Sequence, residues 1–198
     1  MRIIGGRFRG RDLGSVPHGV RPTSDRVRES LFSMLGPIDG SQVLDLFAGT
    51  GALGIESLSR GARRAVFVDQ SRRVLRALRD RIATLGLAEG EEFRTISADA
   101  KKAINRLAKE ETADRFDLVF LDAPYEEGDR VGTLEALFAS GILSERARVV
   151  VEGPRRHPLP PLSGVHVLDE RDYGDTRLTW LAASAPTETS EPKPKEQR

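Results

Sequence analysis

Four aspartates in this chain have the placement expected of a site for a positively charged ligand. Asp45, Asp69, Asp99 and Asp122 each stand at or near the end of a short apolar run. If these runs are strands of one parallel sheet, the four carboxylates lie beside the crevice at the carboxyl ends of the strands, where such sheets bind ligands. Four carboxylates would repel a pyrophosphate. They would accept hydrogen bonds from an ammonium group or a ribose diol and would stabilise a sulfonium cation.

A glycine-rich turn follows the first of these aspartates. Residues 45–54 read DLFAGTGALG, and Gly49, Gly51 and Gly54 have the spacing G-x-G-x-x-G between an apolar run and a helical pattern. Glycine suits a tight turn with positive φ whose bare backbone lies against a ligand. The motif alone fits NAD, FAD or S-adenosylmethionine, and a plain structural turn is the further alternative.

The aspartates discriminate among these ligands unequally. Asp69 would suit the ribose in either cofactor class, whereas Asp45 and Asp122 favour S-adenosylmethionine because that ligand carries an ammonium and a sulfonium group. Asp99 has an equally good structural interpretation, since aspartate often caps the helix that follows it. We therefore expect an S-adenosylmethionine site in which the role of Asp99 stays open.

The segment Asp122-Ala123-Pro124-Tyr125 predicts chemistry on an amino group. An exocyclic amine on a base is a poor nucleophile because its lone pair is delocalised into the ring. The Asp122 carboxylate and the Ala123 carbonyl could bind its two N–H groups and direct the lone pair toward a methyl donor. Tyr125 offers a face on which an extruded base can stack. The alternative is an ordinary strand-to-loop turn bent by Pro124.

Alternating strand and helix patterns indicate the elements that position these residues. Apolar runs predict five strands, with helical periodicity between them; the strands are 43–47, 65–68, 93–96, 118–121 and 149–151, and the helices are 52–60, 71–85, 100–110 and 130–140. Two further strands, near 165–170 and 176–182, are too close for a helix between them and should form an antiparallel edge hairpin. The expected fold is α/β, a doubly wound, mostly parallel seven-stranded sheet.

The N-terminal region is basic. Residues 1–30 carry seven arginines and three acidic residues. Residues 2–16 read as a glycine-broken β-ribbon standing apart as an appendage, in which Arg7, Arg9 and Arg11 would contact phosphates. A helix capped by Thr23 or Ser24 should follow and end near Gly36. The alternative is that arginine is simply common in this chain.

Length and composition limit the possible domain organisation and location of the protein. With 198 residues, of which 38% are hydrophobic and 31% charged, the chain suits one globular domain and is not disordered throughout. We expect an arm at 1–20, a catalytic domain at 21–183 and a disordered tail at 184–198. The absence of cysteine and of long apolar runs leads us to expect a cytoplasmic, unexported protein, and the wide spacing of the three histidines leads us to expect no metal. A monomer is the default expectation, because the sequence does not indicate an oligomeric state.

Three segments together resemble one family of class I S-adenosylmethionine-dependent methyltransferases, the bacterial 16S ribosomal-RNA guanine-N2 methyltransferases. They are RPTSDRVRESLF at 21–32, RIIGG at 2–6 and YGDT at 173–176, and the resemblance covers roughly residues 1–182. It implies methylation of a guanine in 16S ribosomal RNA, within an assembling small ribosomal subunit, with S-adenosylhomocysteine as the second product. The glycine turn is shared across the whole superfamily, so the segment at 21–32 is the most specific signal.

The resemblance also implies a role for each candidate residue. The cofactor-binding residues would be Arg21, Thr23, Asp45, Phe47, Ala48, Gly49, Gly51, Gly54, Asp69 and Asp99. The catalytic residues would be Asp122, Ala123, Pro124 and Tyr125, and the RNA-binding residues would be Arg7, Arg9, Arg11 and Arg26. This chain departs from the family pattern at Ala123, where proline is usual. The carbonyl is retained, so the departure affects the stiffness of the loop and not the type of reaction.

Three alternatives remain open at this point. The same tetrad serves adenine-N6 methylation of DNA, although 198 residues leave no room for a separate target-recognition domain. A cofactor-free RNA-binding assembly factor could keep this fold, but the intact glycines and acids argue against a decayed site. A nicotinamide-dependent oxidoreductase is disfavoured by the four carboxylates.

Overall fold

In a computed structural model of the protein, residues 1–14, 25–110, 115–123 and 130–184 are described. This part of the chain contains five helices: α1 (Asp25–Leu35), α2 (Ala52–Ser59), α3 (Arg72–Ala83), α4 (Ala100–Leu107) and α5 (Arg130–Ala139). It contains seven strands: β1 (Gln42–Leu46), β2 (Arg64–Asp69), β3 (Phe93–Ser97), β4 (Phe116–Leu121), β5 (Leu143–Pro154), β6 (Val165–Tyr173) and β7 (Thr176–Ala183). The predicted cap of α1 and almost all of the predicted tail lie outside the described residues.

The seven strands form one sheet in the order β3-β2-β1-β4-β5-β7-β6. The first five strands are parallel, and β7 runs antiparallel between β5 and β6. The predicted doubly wound sheet with an antiparallel edge hairpin is therefore confirmed. The carboxyl ends of β1, β2, β3 and β4 meet at one edge, which is where the four aspartates were expected.

Strand alternation divides the core into two layers. Val43 packs with residues of α1, α2 and α3 on one face of the sheet, and its neighbour Leu44 packs with residues of α4 and α5 on the other. Because successive side chains of a strand point to opposite faces, a parallel strand covered by helices is apolar along its whole length. All five residues of β1 are buried accordingly, Asp45 among them.

Residues 1–14, the N-terminal hairpin, pack against the body of the protein. Ile3 and Arg11 are joined by a backbone hydrogen bond of 3.0 Å, and Leu13 donates to the Met1 carbonyl at 2.7 Å. The predicted ribbon pairing is present, but the hairpin does not stand apart as expected. Ile3 and Leu13 are buried in the core, and Glu56 of α2 accepts hydrogen bonds from the backbone at residues 4 and 5. The free energy gained by burying these apolar side chains exceeds the conformational entropy that a detached arm would keep.

Arg28 connects the hairpin to α1. Its guanidinium donates to the Arg2 carbonyl and to the Asp25 carboxylate, both at 2.7 Å, although the side chain is only 1% exposed. Arg28 is thus a buried cation that is paired with Asp25 one helical turn earlier. No helix in the described part of the chain is long and apolar enough to cross a membrane.

Candidate active site

The turn after β1 forms a bare backbone cradle. Phe47 has φ of 62°, which is unusual for a bulky residue, and Gly49 and Gly51 have φ of 52° and 76°. The Ala48 N–H donates to the Val68 carbonyl of β2 at 2.8 Å and fixes the start of the turn against the neighbouring strand. A non-glycine residue held at positive φ costs about 1–3 kcal/mol and is found mainly at functional sites. The backbone strain at Phe47 is a feature that this turn shares with functional sites.

Gly51 and Gly54 are required by packing as well. A Cβ on Gly51, the N-cap of α2, would lie 2.6 Å from Leu78 Cδ1 of α3. A Cβ on Gly54 would lie 2.2 Å from Cε1 of the buried Phe67 ring. The last two glycines of the motif therefore bring α2 close to α3 and to β2.

Asp45 lies beneath the turn. Its carboxylate accepts a hydrogen bond from the Gly54 N–H at 3.0 Å, and the residue is 2% exposed. Burial raises the pKa of Asp45 to about 8; the Gly54 hydrogen bond lowers it and the nearby Asp69 charge raises it further. We expected Asp45 to line the crevice; in the structure it is almost fully buried, and its hydrogen bond to the Gly54 N–H joins the end of β1 to α2.

The raised pKa of Asp45 predicts that stability depends on pH. The folded state holds the Asp45 proton more tightly than the unfolded state, where the pKa is near 3.8. The stabilisation of the folded state by protonated Asp45 is thus complete below about pH 4 and is lost as the pH rises to about 8. In the variant Asp45→Asn this loss should disappear, so the Tm of the variant should rise relative to wild type between pH 5 and pH 8. Equal pH dependence of Tm in both proteins would contradict the raised pKa.

Asp69 and Asp99 lie at the ends of the next two strands. Asp69 accepts hydrogen bonds from the Gly49 N–H at 3.0 Å and the Ser71 N–H at 2.8 Å, so it ties the glycine turn to the start of α3. Asp99 caps α4 by accepting from the N–H groups of Lys101 and Lys102. The capping interpretation of Asp99 is therefore correct, and a further role in ligand binding stays a prediction. Both carboxylates are partly exposed at the edge of the sheet.

Asp122 has a carboxyl neighbour that the sequence did not reveal. Leu121 of β4 is in register with Val151 of β5, so Asp122, which directly follows β4, lies beside Glu152 of β5. The pKa of Asp122 is raised well above its ordinary value by burial, by the Glu152 charge and by the Asp45 charge. No spacing along the chain reveals this proximity; it follows only from the register of β4 and β5.

Of the other predicted site residues, some lie in the described part of the chain and some lie outside it. Phe47, Ala48, Gly49 and Gly51 form the turn, Gly54 lies in the first turn of α2, and Ala123 follows Asp122 with a buried side chain. Arg26 is exposed in the first turn of α1. The predictions for Arg21, Thr23, Pro124 and Tyr125 lie outside the described residues.

The arginines predicted to bind RNA differ in their surroundings. Arg7 forms an ion pair with Glu92 at 3.1 Å and stacks on the Phe8 ring. Arg11 donates to the Thr84 carbonyl and also lies over that ring. The Arg9 side chain is exposed and makes no hydrogen bond or ion pair to the rest of the described chain. Of the three, Arg9 is therefore the cation that the fold leaves fully available.

The three segments that carry the family resemblance meet on one side of the sheet. The hydroxyls of Ser30 in α1 and Tyr173 in β6 are hydrogen-bonded, and Arg28 binds the carbonyl of Arg2. Tyr173 also packs against the apolar layer that contains Leu31 and Phe32. Residues far apart in the chain thus form one contiguous wall beside β4 and β5.

The residues at this edge suit S-adenosylmethionine. The turn at 47–51 offers backbone close to a ligand, and the partly exposed Asp69 and Asp99 can accept hydrogen bonds from ribose hydroxyls and an adenine amine. No lysine or arginine lies within the turn to neutralise a pyrophosphate. Among the described residues there is no cluster of histidine and acidic side chains that could hold a metal ion.

The sheet order with its antiparallel β7, together with the glycine turn at the end of β1, defines the class I methyltransferase fold. Residues 1–182 match the family described as "Conserved hypothetical protein 95", and the chain belongs to this family. Ribosomal RNA small subunit methyltransferase D of Escherichia coli (strain K12) is 40% identical over 163 residues, which cover 81% of this chain and 78% of that protein.

Two further comparisons extend over most of both chains. The protein YlbH of Bacillus subtilis (strain 168) is 39% identical over 180 residues, 89% of this chain and 95% of that protein. The solved structure of yhhF from Escherichia coli superposes with a TM-score of 0.80 at 35% identity, covering 93% of this chain and 98% of that one. The resemblance to a methyltransferase family is thereby confirmed.

Proposed function

We propose that this protein transfers a methyl group from S-adenosylmethionine to the exocyclic N2 amino group of a guanine in 16S ribosomal RNA. The observation that carries the proposal is the placement of Asp122 and Ala123 at the end of β4, directly beside β1 and its glycine turn. A relative named for methylation of small-subunit ribosomal RNA, 40% identical to this chain, supports the choice of RNA as acceptor.

The glycine turn and its acids would hold the cofactor, which supplies an electrophilic methyl group when bound. Residues 47–51 would present their backbone to it, and Asp69 and Asp99 would accept hydrogen bonds from its hydroxyl and amino groups. Asp45 would act indirectly, because its bond to the Gly54 N–H fixes the turn from behind. Arg21 and Thr23 would close over the methionine end, as the family resemblance implies.

Asp122 and Ala123 would orient the guanine amino group. The Asp122 carboxylate and the Ala123 carbonyl would each accept one N–H bond, so that the nitrogen lone pair points away from the ring toward the methyl donor. The raised pKa of Asp122 also suits it to take up the proton that the nitrogen releases after methylation. Tyr125 would stack on the extruded base, and Pro124 would set the bend of the loop.

The N-terminal hairpin would bind the RNA backbone. Arg9 is the freely available cation, and Arg7 and Arg11 would contribute as neighbours, together with Arg26 on α1. In this proposal the arm at 1–20 and the catalytic domain at 21–183 act as one unit, because the hairpin shares the core of the body. The substrate would be an assembling small subunit in the cytoplasm, with the enzyme acting as a monomer.

The cofactor assignment is tested by thermal shift. Saturating S-adenosylhomocysteine should raise the Tm by several degrees, because a ligand at about 100 times its Kd stabilises the folded state by about 2.7 kcal/mol. NAD at the same concentration should leave Tm unchanged. Stabilisation by NAD alone would indicate an oxidoreductase, and stabilisation by neither would indicate a cofactor-free RNA-binding protein.

The acceptor class is tested by label transfer. Small ribosomal subunits lacking their own methylations and unmethylated duplex DNA are incubated separately with methyl-labelled S-adenosylmethionine and the protein. Label should enter the ribosomal RNA and not the DNA. Label in the DNA adenine would support the alternative amino methyltransferase.

A further inference from the structure

Helix α3 exposes three arginines in its first two turns. Arg72, Arg73 and Arg76, here called the α3 stripe, all face solvent, because Leu75 and Leu78 on the opposite side of the helix are buried in the core. Residues three and four apart lie next to each other on a helix surface, so the three guanidinium groups form one patch.

The stripe differs from the other arginines of the same helix. Arg79 donates to the Thr95 hydroxyl at 2.9 Å, and Arg81 donates to the Leu13 carbonyl at 3.1 Å. Within the described chain, the guanidinium groups of the three stripe arginines make no hydrogen bond or ion pair. Like charges one turn apart destabilise a helix by a few tenths of a kcal/mol per pair. Arg79 and Arg81 thus form contacts within the fold, whereas the three stripe arginines form no ion pair that would neutralise their charge.

The position of α3 links the hairpin to the crevice. At its C-terminal end the Thr84 carbonyl accepts a hydrogen bond from Arg11 of the hairpin. At its N-terminal end Ser71 caps the helix and donates its N–H to Asp69, whose other oxygen holds the glycine turn through Gly49. The helix between these ends is 12 residues, or about 18 Å, long.

We infer that the α3 stripe binds phosphates of the RNA strand that enters the active site. The inference rests on the proposed function and extends its RNA-binding surface from the hairpin along α3 to the rim of the crevice. Charge complementarity identifies the occupant: the crevice itself is acidic, so a base can enter it while the phosphates on either side stay on cationic side chains outside. The hairpin and the stripe then form one continuous surface that binds RNA phosphates.

The test compares two charge-matched triple variants. One carries Arg72→Gln, Arg73→Gln and Arg76→Gln; the control carries Lys102→Gln, Lys109→Gln and Arg146→Gln, which replace three exposed cations outside α3 and the hairpin. Both lose three positive charges, so a difference between them reports position and not net charge. Binding to unmethylated 16S ribosomal RNA is measured over a range of salt concentrations.

We expect the stripe variant to bind RNA about tenfold or more weakly at about 0.1 M salt, with a salt slope smaller by about 2, since three phosphate contacts are lost. The control should bind nearly as wild type does. Affinity for S-adenosylhomocysteine should be unchanged in both, and Tm should not fall in either, which excludes misfolding. Equal RNA affinity of the two variants, with methylation by wild type intact, would overturn the inference alone. Failure of wild type to bind or methylate ribosomal RNA would overturn it together with the proposed function.

Discussion

Replacing Asp122 with Asn is expected to lower the rate of methyl transfer about 10²- to 10³-fold, the range observed when one stabilising group is removed from an active site. The amide keeps the shape of the side chain but loses the charge that accepts the N–H bond and the released proton. The same change should raise the Tm at neutral pH, because folding raises the pKa of Asp122 and the folded protein holds its ionised form at a cost. Single-turnover label transfer and thermal unfolding measure the two effects.

Glu152→Gln is the matched variant, since it changes the neighbour and keeps Asp122. Removing the Glu152 charge should lower the pKa of Asp122, so the acidic limb of the pH–rate profile should move to lower pH. Affinity for S-adenosylhomocysteine should be within about twofold of wild type in both variants. An Asp122→Asn variant that methylates at the wild-type rate, or that is less stable than wild type, would contradict the role assigned to this carboxylate.

Gly54→Ala is expected to destabilise the protein although the residue lies in a helix. Helix propensity alone predicts stabilisation by about 1 kcal/mol. The new Cβ would stand 2.2 Å from the buried Phe67 ring, and overpacking of this kind costs about 1–3 kcal/mol. Because the Gly54 N–H also binds Asp45, a displaced helix should weaken binding of S-adenosylhomocysteine. Thermal unfolding and calorimetric titration measure the two losses.

The steric explanation can be checked with a second substitution. Phe67→Leu should recover part of the stability of Gly54→Ala, because the smaller side chain gives the Cβ room. A more stable Gly54→Ala single variant would show that helix propensity outweighs the contact with Phe67. Equal losses with and without Phe67→Leu would show that the contact is not the cause.

The sequence was most informative about the sheet. Short β-branched runs separated by helical periodicity located the first five strands, and the gap before the last strand, too short for a helix, identified the edge hairpin. These features depend on local pattern, on which strands and helices impose different periods. The glycine turn was equally legible, because its spacing and its place after an apolar run are both local.

The sequence was less informative where distant residues meet. Glu152 lies beside Asp122 only because β4 and β5 pair in one particular register, and no spacing along the chain reveals that register. Asp45 was recognised as a site residue, but its burial beneath the turn depends on the return of α2 over the end of β1. The docking of the N-terminal hairpin depends on Glu56, more than fifty residues away. Each of these contacts is set by tertiary packing.

The central claim, that the Asp122 loop methylates guanine N2 in ribosomal RNA, is tested most directly by identifying the methylated nucleoside. Small ribosomal subunits lacking their own methylations are treated with the protein and labelled S-adenosylmethionine, and the RNA is digested and analysed by mass spectrometry. We predict that the label is found in N2-methylguanosine with wild type and is absent with Asp122→Asn. Label in any other nucleoside, or equal label with the variant, would contradict the claim.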